Sequence, residues 1–560
     1  MTKSTLIGSP RRVLHGTPVV PGVVAGPVIV PGPRVAPPLD DTVIDPADRD
    51  RELQAFREGT KAVASRLQAR AAVSSGAASE VLAANAAMAT DRGWLGAAEK
   101  LIAAGNSATA ATAAATEQFV AMFTKLGGLM AERVTDLRDV RDRVLAELIG
   151  APEPGIPEPD VPSILFAEDL APADTAGLDP AMVIGLATSL GGPTSHTAII
   201  ARQLGIPCVV AVTGLDEVAA GSSVLLDGAE GEITVSPDAA AASEAVAQYR
   251  LIAERTAAWT GPGATADGHR VDVLANVQDG AGARVAAETS AGGIGLFRTE
   301  LCFLDRETEP TVAEQSAIYR EVLDAFPDAK VVVRTLDAGS DKPLRFAEHP
   351  HEANPALGVR GIRIAARDSG ILDRQLDAIA AASEGVSRPW VMAPMISTAA
   401  EAESFAAKVR ERGLVPGVMI EVPAAALLAE RILDHVDFLS VGTNDLAQYT
   451  MAADRMSADL AELTDPWQPA VLSLLARTAV AGAAVNKPVG VCGEAAADPL
   501  LACVLVGFGI TSLSAAASAV AGVGAKLATV TLDQCRRAAD AVSQTADPMS
   551  ARAAARSLLD

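Results

Sequence analysis

Eight strand-like runs recur from Val271 onward, and they constrain the fold more than any other feature of the chain. They read VDVLANV, GIGLFRTE, KVVVRTLD, PWVMAPMI, GVMIEVP, VDFLSVGTND, KPVGVCGE and TSLSAAA, with helix-like segments between them. Strands that alternate with helices are typical of parallel βα units. Eight such units in succession predict a closed (β/α)8 barrel.

Polar residues cluster where these runs end. They are Arg298, Glu300, Arg334, Asp337, Glu421, Asn444, Asp445, Cys492 and Glu494. In (β/α)8 barrels the active site forms at the C-terminal ends of the strands, from residues that several strands contribute. Structural salt bridges explain one or two such positions, but they explain poorly why most strands carry a polar residue at the same end. The pattern predicts an active site at this mouth of the barrel.

A second motif, SLGGPTSHTAIIARQLGIPCVV, begins at Ser189. Its glycine pair allows a tight turn, Thr194 and Ser195 are good N-cap residues, and HTAIIARQLG predicts a short amphipathic helix that ends at Gly205. His196 would then lie at a helix N-terminus, where the helix dipole favours an anion such as a phosphoryl group. An ordinary capped surface helix fits the spacing equally well.

The rest of the N-terminal region predicts two kinds of structure. Residues 16–31 read as one or two short strands, and residues 163–237 as a small α/β domain. Between them, residues 48–150 predict a helical bundle. Its last helix has an apolar seam and opposite charges on its outer face. The seam consists of Val134, Leu137, Val140, Val144 and Leu148.

Composition excludes several classes of function. The net charge of −23 argues against binding to nucleic acid or to an anionic membrane surface, since both need a basic face. Five cysteines, scattered singly, indicate a reduced cytoplasmic chain without a disulfide framework or zinc site. The first residues lack the apolar segment of a signal peptide. The uncharged stretch between Asp498 and Lys526 predicts a buried helix, strand and helix, without membrane insertion.

The motifs together resemble the phosphoenolpyruvate-protein phosphotransferase family, enzyme I of the bacterial sugar phosphotransferase system. The resemblance covers the whole chain. It is carried by GGPTSHTAIIARQLGIP around His196, GIGLFRTELCFLDR around Arg298, VVVRTLDAGSDK around Arg334, NPALGVRGIRI around Arg360, VMIEVPAAA at Glu421, FLSVGTNDLAQYTMAADR from Phe438 to Arg455, and VGVCGEAA at Cys492.

This resemblance implies an α/β multidomain chain with a C-terminal TIM barrel. A small α/β phosphohistidine domain would comprise residues 1–35 and 151–238, interrupted by a helical domain, 36–150, that binds the carrier protein HPr. A linker helix, 239–262, would lead to a barrel, 263–560, that binds phosphoenolpyruvate and forms a homodimer. The family transfers the phosphoryl group of phosphoenolpyruvate to its own histidine, here His196, and then to HPr, and it releases pyruvate.

The family also implies roles for the residues at the barrel mouth. Planar guanidinium groups pair with the phosphate and the carboxylate of phosphoenolpyruvate. The implied substrate-binding residues are Arg298, Arg334, Arg455, Arg360, Asn444 and Asp445. Glu421 and Asp445 are implied ligands of Mg²⁺, a cation that suits hard oxygen donors. Salt bridges between these acids and the arginines are the alternative interpretation.

Cys492 is the implied proton donor and acceptor at C3 as the enolate becomes pyruvate. A thiol pKa of about 8.5 leaves the group mostly protonated, as a general acid requires. Nearby arginines and Mg²⁺ would lower that pKa, so we expect burial to offset them. By its apolar neighbours alone, Cys492 would be interpreted as a core residue.

Two positions depart from the family pattern, and two other functions compete. Pro193 stands where an arginine is common, and Ala171 where a threonine is common, so we expect the orientation of His196 or its rate of phosphotransfer to differ from that of the family. A dikinase-like enzyme would use ATP, but only a helical segment and no Gly-rich phosphate loop precede the histidine domain. A regulatory phosphoprotein would bind phosphoenolpyruvate in the barrel without efficient transfer.

Overall fold

The structure is a computed structural model that describes residues 12–32, 43–73, 77–126, 129–151, 153–157, 159–170, 178–192, 195–304, 306–340, 342–347, 352–366, 368–386 and 388–560. The chain divides into two compact units, Met1–Ile252 and Ala253–Asp560. The division falls within a helix, Ala239–Ala258, in the segment predicted as a linker. The finer domain limits stay predictions.

The first unit contains an eight-stranded sheet. Its strands are β1 (Arg12–His15), β2 (Thr17–Val20), β3 (Val23–Ile29), β4 (Ser163–Ala167), β5 (Val183–Thr188), β6 (Cys208–Val210), β7 (Ser223–Asp227) and β8 (Glu232–Val235). They lie in the order β1-β8-β7-β3-β4-β5-β6-β2. Because β3 pairs with both β4 and β7, the N-terminal strands share one sheet with strands that follow the helical segment. This confirms the small α/β fold with helices inserted into it.

The prediction of one or two short strands over residues 16–31 is confirmed by β2 and β3, and β1 is a further strand just before that range. Gly16 lies between β1 and β2, where an added Cβ would come within 2.7 Å of the carbonyl oxygen of Val210. Gly22 lies between β2 and β3 with a φ of +152°, a conformation that suits glycine. The two breaks allow three short strands to pair at different places in the sheet.

The inserted helices are α1 (Arg49–Val73), α2 (Ala77–Met88), α3 (Arg92–Ala103), α4 (Ala108–Leu126) and α5 (Leu129–Ile149). Leu137, Val140 and Val144 of the predicted seam are buried. The expectation that the charges of α5 lie on its outer face is wrong for Asp142 and Arg143, which are also buried. Arg143 bonds to Asp139 and to Glu153 beyond the helix, at 2.8 Å each, so ion pairs offset the cost of its burial.

In the second unit all eight predicted strands form. They are β9 (Asp272–Val277), β10 (Gly293–Arg298), β11 (Lys330–Arg334), β12 (Trp390–Ala393), β13 (Val415–Ile420), β14 (Phe438–Gly442), β15 (Val489–Cys492) and β16 (Ser512–Ala516). The strands are parallel, and β16 pairs with β9 to close the barrel. Inside it, Leu296, Val332, Met392, Met419 and Phe438 form an apolar layer with Cys492.

Two helices follow the inserted bundle before the barrel begins, and the later helices cover the outside of the barrel. Helix α6 (His196–Leu204) belongs to the first unit, and α7 (Ala239–Ala258) contains the boundary between the units. The helices that follow are α8 (Gly280–Ala287), α9 (Val312–Asp324), α10 (Ser369–Ala382), α11 (Ala399–Glu411), α12 (Pro423–Leu427), α13 (Ala429–Leu433), α14 (Thr443–Met451), α15 (Pro469–Ala484), α16 (Glu494–Ala497), α17 (Pro499–Phe508), α18 (Ala517–Leu527), α19 (Leu532–Val542) and α20 (Pro548–Leu559). A large apolar core joins them to the strands.

The uncharged stretch after Asp498 folds as predicted, into α17, β16 and α18. Asp498 caps α17 by accepting hydrogen bonds from the backbone N–H groups of Leu500 and Leu501. Most of α17 is buried in the barrel core. Across the described ranges, no helix has both the length and the hydropathy that a membrane span requires.

Candidate active site

A cavity of about 280 Å³ opens at the carboxyl ends of the barrel strands. It is lined by Gln278, Leu296, Arg298, Glu300, Leu301, Leu304, Arg334, Asp337, Lys342, Met419, Glu421, Gly442, Asn444, Asp445, Arg455, Cys492 and Gly493. The structure therefore brings together most of the residues that the sequence singled out. Arg360 and Glu494 do not line it.

Two strands bring a pair of arginines to the cavity. Arg298 and Arg334 are the last residues of β10 and β11, and they are partners in the register of that strand pair. Arg334 is buried and forms ion pairs with Glu300 and, at 3.3 Å, with Asp337. Arg298 and Arg455 form no salt bridge with any other described residue. Their charges are available to an anionic ligand.

Arg360 lies behind the cavity. It is 2% exposed and holds both oxygens of Asp337 at 2.9 Å. It also bonds to Asp445 at 3.1 Å. Burial opposes the charge on Asp337, but Arg334 and Arg360 hold the pKa of that carboxyl well below its usual range. In this arrangement Arg360 orients two carboxylates, and its own contact with substrate stays a prediction.

Glu421 carries a buried oxygen without a partner. It follows β13 and is 1% exposed. Its Oε1 accepts a hydrogen bond of 2.7 Å from the N–H of Met395, whereas its Oε2 has no hydrogen-bond partner among the residues described. Burial raises the pKa of this carboxyl, and the negative charges of Asp337 and Asp445 raise it further. A buried carboxylate oxygen in such surroundings calls for a cation or a proton.

The donor set fits Mg²⁺ held partly by other oxygens. The unpartnered oxygen of Glu421 and the carboxylate of Asp445 face the same cavity. No group of three or more His, Cys, Asp or Glu residues in the described ranges could hold a metal alone. Mg²⁺ commonly takes one or two carboxylates and completes its octahedron with water and substrate phosphate. The two carboxylates fit that pattern, and the metal itself stays a prediction.

Cys492, the last residue of β15, contributes a thiol at the inner end of the cavity. It is 2% exposed and lies on the apolar layer inside the barrel. Its Sγ accepts a hydrogen bond from Ser440 Oγ at 3.4 Å and donates one to the carbonyl of Val441 at 3.5 Å. Burial raises the pKa of the thiol, against the lowering effect of Ser440, Arg334 and Arg298. The thiol is therefore protonated at neutral pH, as a general acid must be.

Asn444 and Glu494 are joined by a hydrogen bond. Asn444 Oδ1 accepts a bond of 3.2 Å from the backbone N–H of Glu494. This bond fixes the side-chain amide of Asn444 and leaves its NH₂ group as a donor at the cavity. Glu494 contributes through its backbone and begins α16, outside the cavity lining.

His196 begins α6 in the first unit, as the sequence predicts. Ser195 is the N-cap residue, and its Oγ accepts a hydrogen bond from Ala198 N at 3.3 Å. Gly205 ends the helix in the left-handed conformation, with a φ of 66°. Thr197 donates a hydrogen bond of 3.3 Å to Asp169 after β4, which ties the first turn of α6 to the sheet. Pro193, Thr194 and Ala171 lie outside the described residues.

Comparisons with known proteins cover most of the chain. Profiles of phosphoenolpyruvate-utilising enzymes match residues 15–133 (N-terminal), 159–231 (mobile domain) and 253–532 (PEP-binding domain). The phosphoenolpyruvate-protein phosphotransferase of Streptomyces coelicolor is 48% identical over 98% of this chain and 99% of its own. The chain belongs to the phosphoenolpyruvate-protein phosphotransferase family.

More distant members of the phosphotransferase family also match. The phosphoenolpyruvate-protein phosphotransferase of Haloferax volcanii is 41% identical over 76% of this chain and 78% of its own. A solution structure of enzyme I covers 42% of this chain and 99% of its own, at 28% identity and a TM-score of 0.38. Family membership confirms the resemblance identified from the motifs, and with it that the chain is an enzyme.

Some residues that line the cavity were not singled out from the sequence. Lys342 lines the cavity, 3.9 Å from Asp337. It stands at the end of the block VVVRTLDAGSDK, so a basic residue in the loop after β11 was the available signal. Gln278 comes just after β9, at the same end of the barrel, and could have been found by extending the strand-end rule to all eight strands. Met419 and Leu296 also line the cavity, but from the sequence such apolar residues indicate only a position in the hydrophobic core.

Proposed function

We propose that the barrel cavity binds phosphoenolpyruvate, that His196 accepts its phosphoryl group, and that the group then passes to a carrier protein while pyruvate is released. The observation that carries the proposal is the pair of arginines, Arg298 and Arg455, that face the cavity without a described carboxylate partner. In a chain of net charge −23, such a local cluster is what an anionic substrate requires.

Substrate binding follows from the guanidinium groups. Phosphoenolpyruvate presents a phosphate and a carboxylate, and each can accept two parallel N–H bonds from an arginine. Arg334 and Arg298 approach from adjacent strands, Arg455 from the segment that follows α14, and Asn444 adds an amide donor. Lys342 adds a further positive charge. These groups also stabilise the charge that spreads over the phosphoryl oxygens during transfer.

The neutral imidazole of His196 would be the nucleophile. Phosphoryl transfer needs an in-line nucleophile and little other covalent help. An imidazole of ordinary pKa, about 6.5, is largely neutral at pH 7 and has a lone pair available. At the start of α6 the helix dipole would stabilise the phosphoryl group that the imidazole acquires.

Glu421 and Asp445 would hold the Mg²⁺ ion. When bound, it would supply positive charge beside the phosphate, which helps to stabilise the transition state. Arg360 keeps Asp445 oriented from behind the cavity. The unpartnered Oε2 of Glu421 supports this assignment.

Cys492 would complete the reaction on the carbon side. When the phosphoryl group leaves phosphoenolpyruvate, the enolate of pyruvate remains, and C3 must gain a proton. The buried, protonated thiol donates that proton, and the thiolate then recovers one from solvent. In the reverse direction the thiolate removes a proton from the methyl group of pyruvate.

We further propose HPr as the carrier protein and a homodimer formed through the barrel. The name of the Streptomyces coelicolor relative specifies a protein as phosphoryl acceptor, which supports a protein carrier for this chain. The negative net charge suits a carrier with a basic docking face. Service to sugar transport is part of the same proposal.

The carrier step has a direct test. The protein is labelled with phosphoenolpyruvate carrying radioactive phosphate, in Mg²⁺, then freed of substrate and mixed with purified HPr. We expect the label to move to HPr within seconds and the rate to be unaffected by Cys492→Ala. Label that stays on the protein in the presence of HPr, while wild-type labelling itself is normal, would refute HPr as the carrier.

A further inference from the structure

A buried hydrogen-bond network lies behind the ends of β10 and β11. Its centre is Gln375 of α10, which is fully buried. The side-chain amide donates to Thr299 Oγ1 at 3.0 Å and to the hydroxyl of Tyr319 at 3.1 Å. Its oxygen accepts a hydrogen bond of 2.9 Å from the backbone N–H of Leu336. Both amide hydrogens and the carbonyl oxygen of Gln375 are therefore in use.

The network connects the two segments that carry substrate-binding groups. Thr299 directly follows Arg298 and donates to the carbonyl of Arg334 at 3.0 Å. Leu336 lies between Arg334 and Asp337. Through one side chain, Gln375 thus fixes the backbone just beyond both arginines. It lines no part of the cavity itself.

The strand pair needs such support because its ladder is irregular. From Ile294 to Phe297 strand β10 advances by three residues, while β11 advances by two, from Val331 to Val333. The extra residue forms a bulge that interrupts pairing shortly before Arg298. After the bulge the pairing continues only over Phe297–Val333 and Arg298–Arg334, so the ends of the two strands are aligned by a short piece of ladder and by the side-chain bonds of the network.

We propose that Gln375 is a positioning residue for phosphoenolpyruvate binding, because it locks the ends of β10 and β11 so that Arg298 and Arg334 stay aligned on one substrate. Binding groups need placement within about 0.5 Å, and a displacement of about 1 Å can cost about 100-fold in rate. The inference rests on the proposed function of the cavity.

The outer end of the network provides a matched control. Gln315 of α9 is fully buried, accepts a hydrogen bond of 3.1 Å from Tyr319, and donates one of 2.8 Å to the carbonyl of Pro310. It makes no hydrogen bond to the ends of β10 or β11. Gln315→Met and Gln375→Met each remove one buried amide from the same network, and they differ in which backbone segments lose support.

The experiment measures affinity for phosphoenolpyruvate by calorimetry in a His196→Ala background, where no transfer can occur. We expect Gln375→Met to weaken binding by about 10-fold or more, and Gln315→Met by less than about 3-fold, with similar losses of thermal stability in both. Equal affinities in the two variants would overturn the positioning role. Absence of binding in the His196→Ala parent would overturn the proposed function as well.

A second pair of variants covers the case in which Gln375→Met does not fold. Thr299→Val keeps the shape of the side chain but removes the hydroxyl that joins Gln375 to the Arg334 carbonyl, and Thr299→Ser keeps the hydroxyl. We expect Thr299→Val to raise KM for phosphoenolpyruvate by about 10-fold and Thr299→Ser to restore most of the affinity. Equal KM values for the two variants would contradict the inference.

Discussion

At Cys492 two opposing influences act on one thiol. Burial raises its pKa, while Ser440, Arg334 and Arg298 act in the other direction. The outcome is a raised pKa, so the proton stays on sulfur at neutral pH. The proposed role as general acid needs such compensation, because the positive charges that we propose bind the substrate would otherwise favour the thiolate.

The pH dependence of pyruvate formation tests this balance. In the proposed mechanism the protonated thiol is the active form, so the rate should fall only as pH rises through the raised pKa, above the ordinary value of about 8.5. Ser440→Ala removes a hydrogen bond that lowers the pKa, and it should move this alkaline limb to still higher pH. Steady-state rates of pyruvate release from pH 6 to about 10 give the measurement.

Cys492→Ala is the control for that profile. It should slow pyruvate release by about 100-fold or more, the usual contribution of a general acid, and abolish the alkaline limb. Phosphoenolpyruvate affinity should change little. An unchanged turnover, or an alkaline limb that shifts downward in Ser440→Ala, would remove Cys492 from this role.

At the scale of elements, the barrel depends on close helix contacts as well as on its strands. An added Cβ at Gly507 of α17 would lie 2.1 Å from the backbone oxygen of Cys535 in α19. At Gly522 of α18 the nearest atom would be Cγ of Pro499, at 3.8 Å. There is therefore no space for a side chain at Gly507, whereas a methyl group fits at Gly522.

These glycines give a matched stability prediction. Gly507→Ala should destabilise the protein by about 1–3 kcal/mol, because the backbone of α19 must move. Gly522→Ala should leave stability unchanged or raise it by up to about 1 kcal/mol, through the better helix propensity of alanine. Denaturant unfolding of both variants measures the difference, and equal shifts would contradict the close packing of α17 on α19.

The elements that were predicted correctly have one property in common, namely that the residues which specify them are close together in the sequence. The barrel strands are short apolar runs rich in β-branched residues, flanked by turn residues, and His196 has its cap residues beside it, so local sequence sufficed. The burial of Arg143 was not predictable in this way, because it depends on Glu153 beyond the helix. Likewise the position of Arg360 behind the cavity depends on Asp337 and Asp445. These charged side chains are buried where residues distant in the sequence form ion pairs with them.

For the whole molecule, the central observation is that the proposed nucleophile and the cavity belong to different compact units. His196 lies in Met1–Ile252, and every residue lining the cavity lies in Ala253–Asp560. The proposed reaction therefore requires that the first unit present its histidine to the second. The sequence showed both halves of this chemistry as separate motifs, because each is a local pattern. The encounter between them is a property of the whole chain.

One measurement tests this account most directly. The protein is mixed with a small excess of labelled phosphoenolpyruvate in Mg²⁺, without carrier, and the released pyruvate and the bound label are counted together, followed by peptide mapping. We predict a burst of one pyruvate per chain and an equal amount of acid-labile label on the peptide that contains His196. The burst and the label should be absent in His196→Ala. Both should be normal in His15→Ala, the control, because His15 lies on β1 of the same compact unit. Acid-stable label, or label retained in His196→Ala, would contradict the central claim.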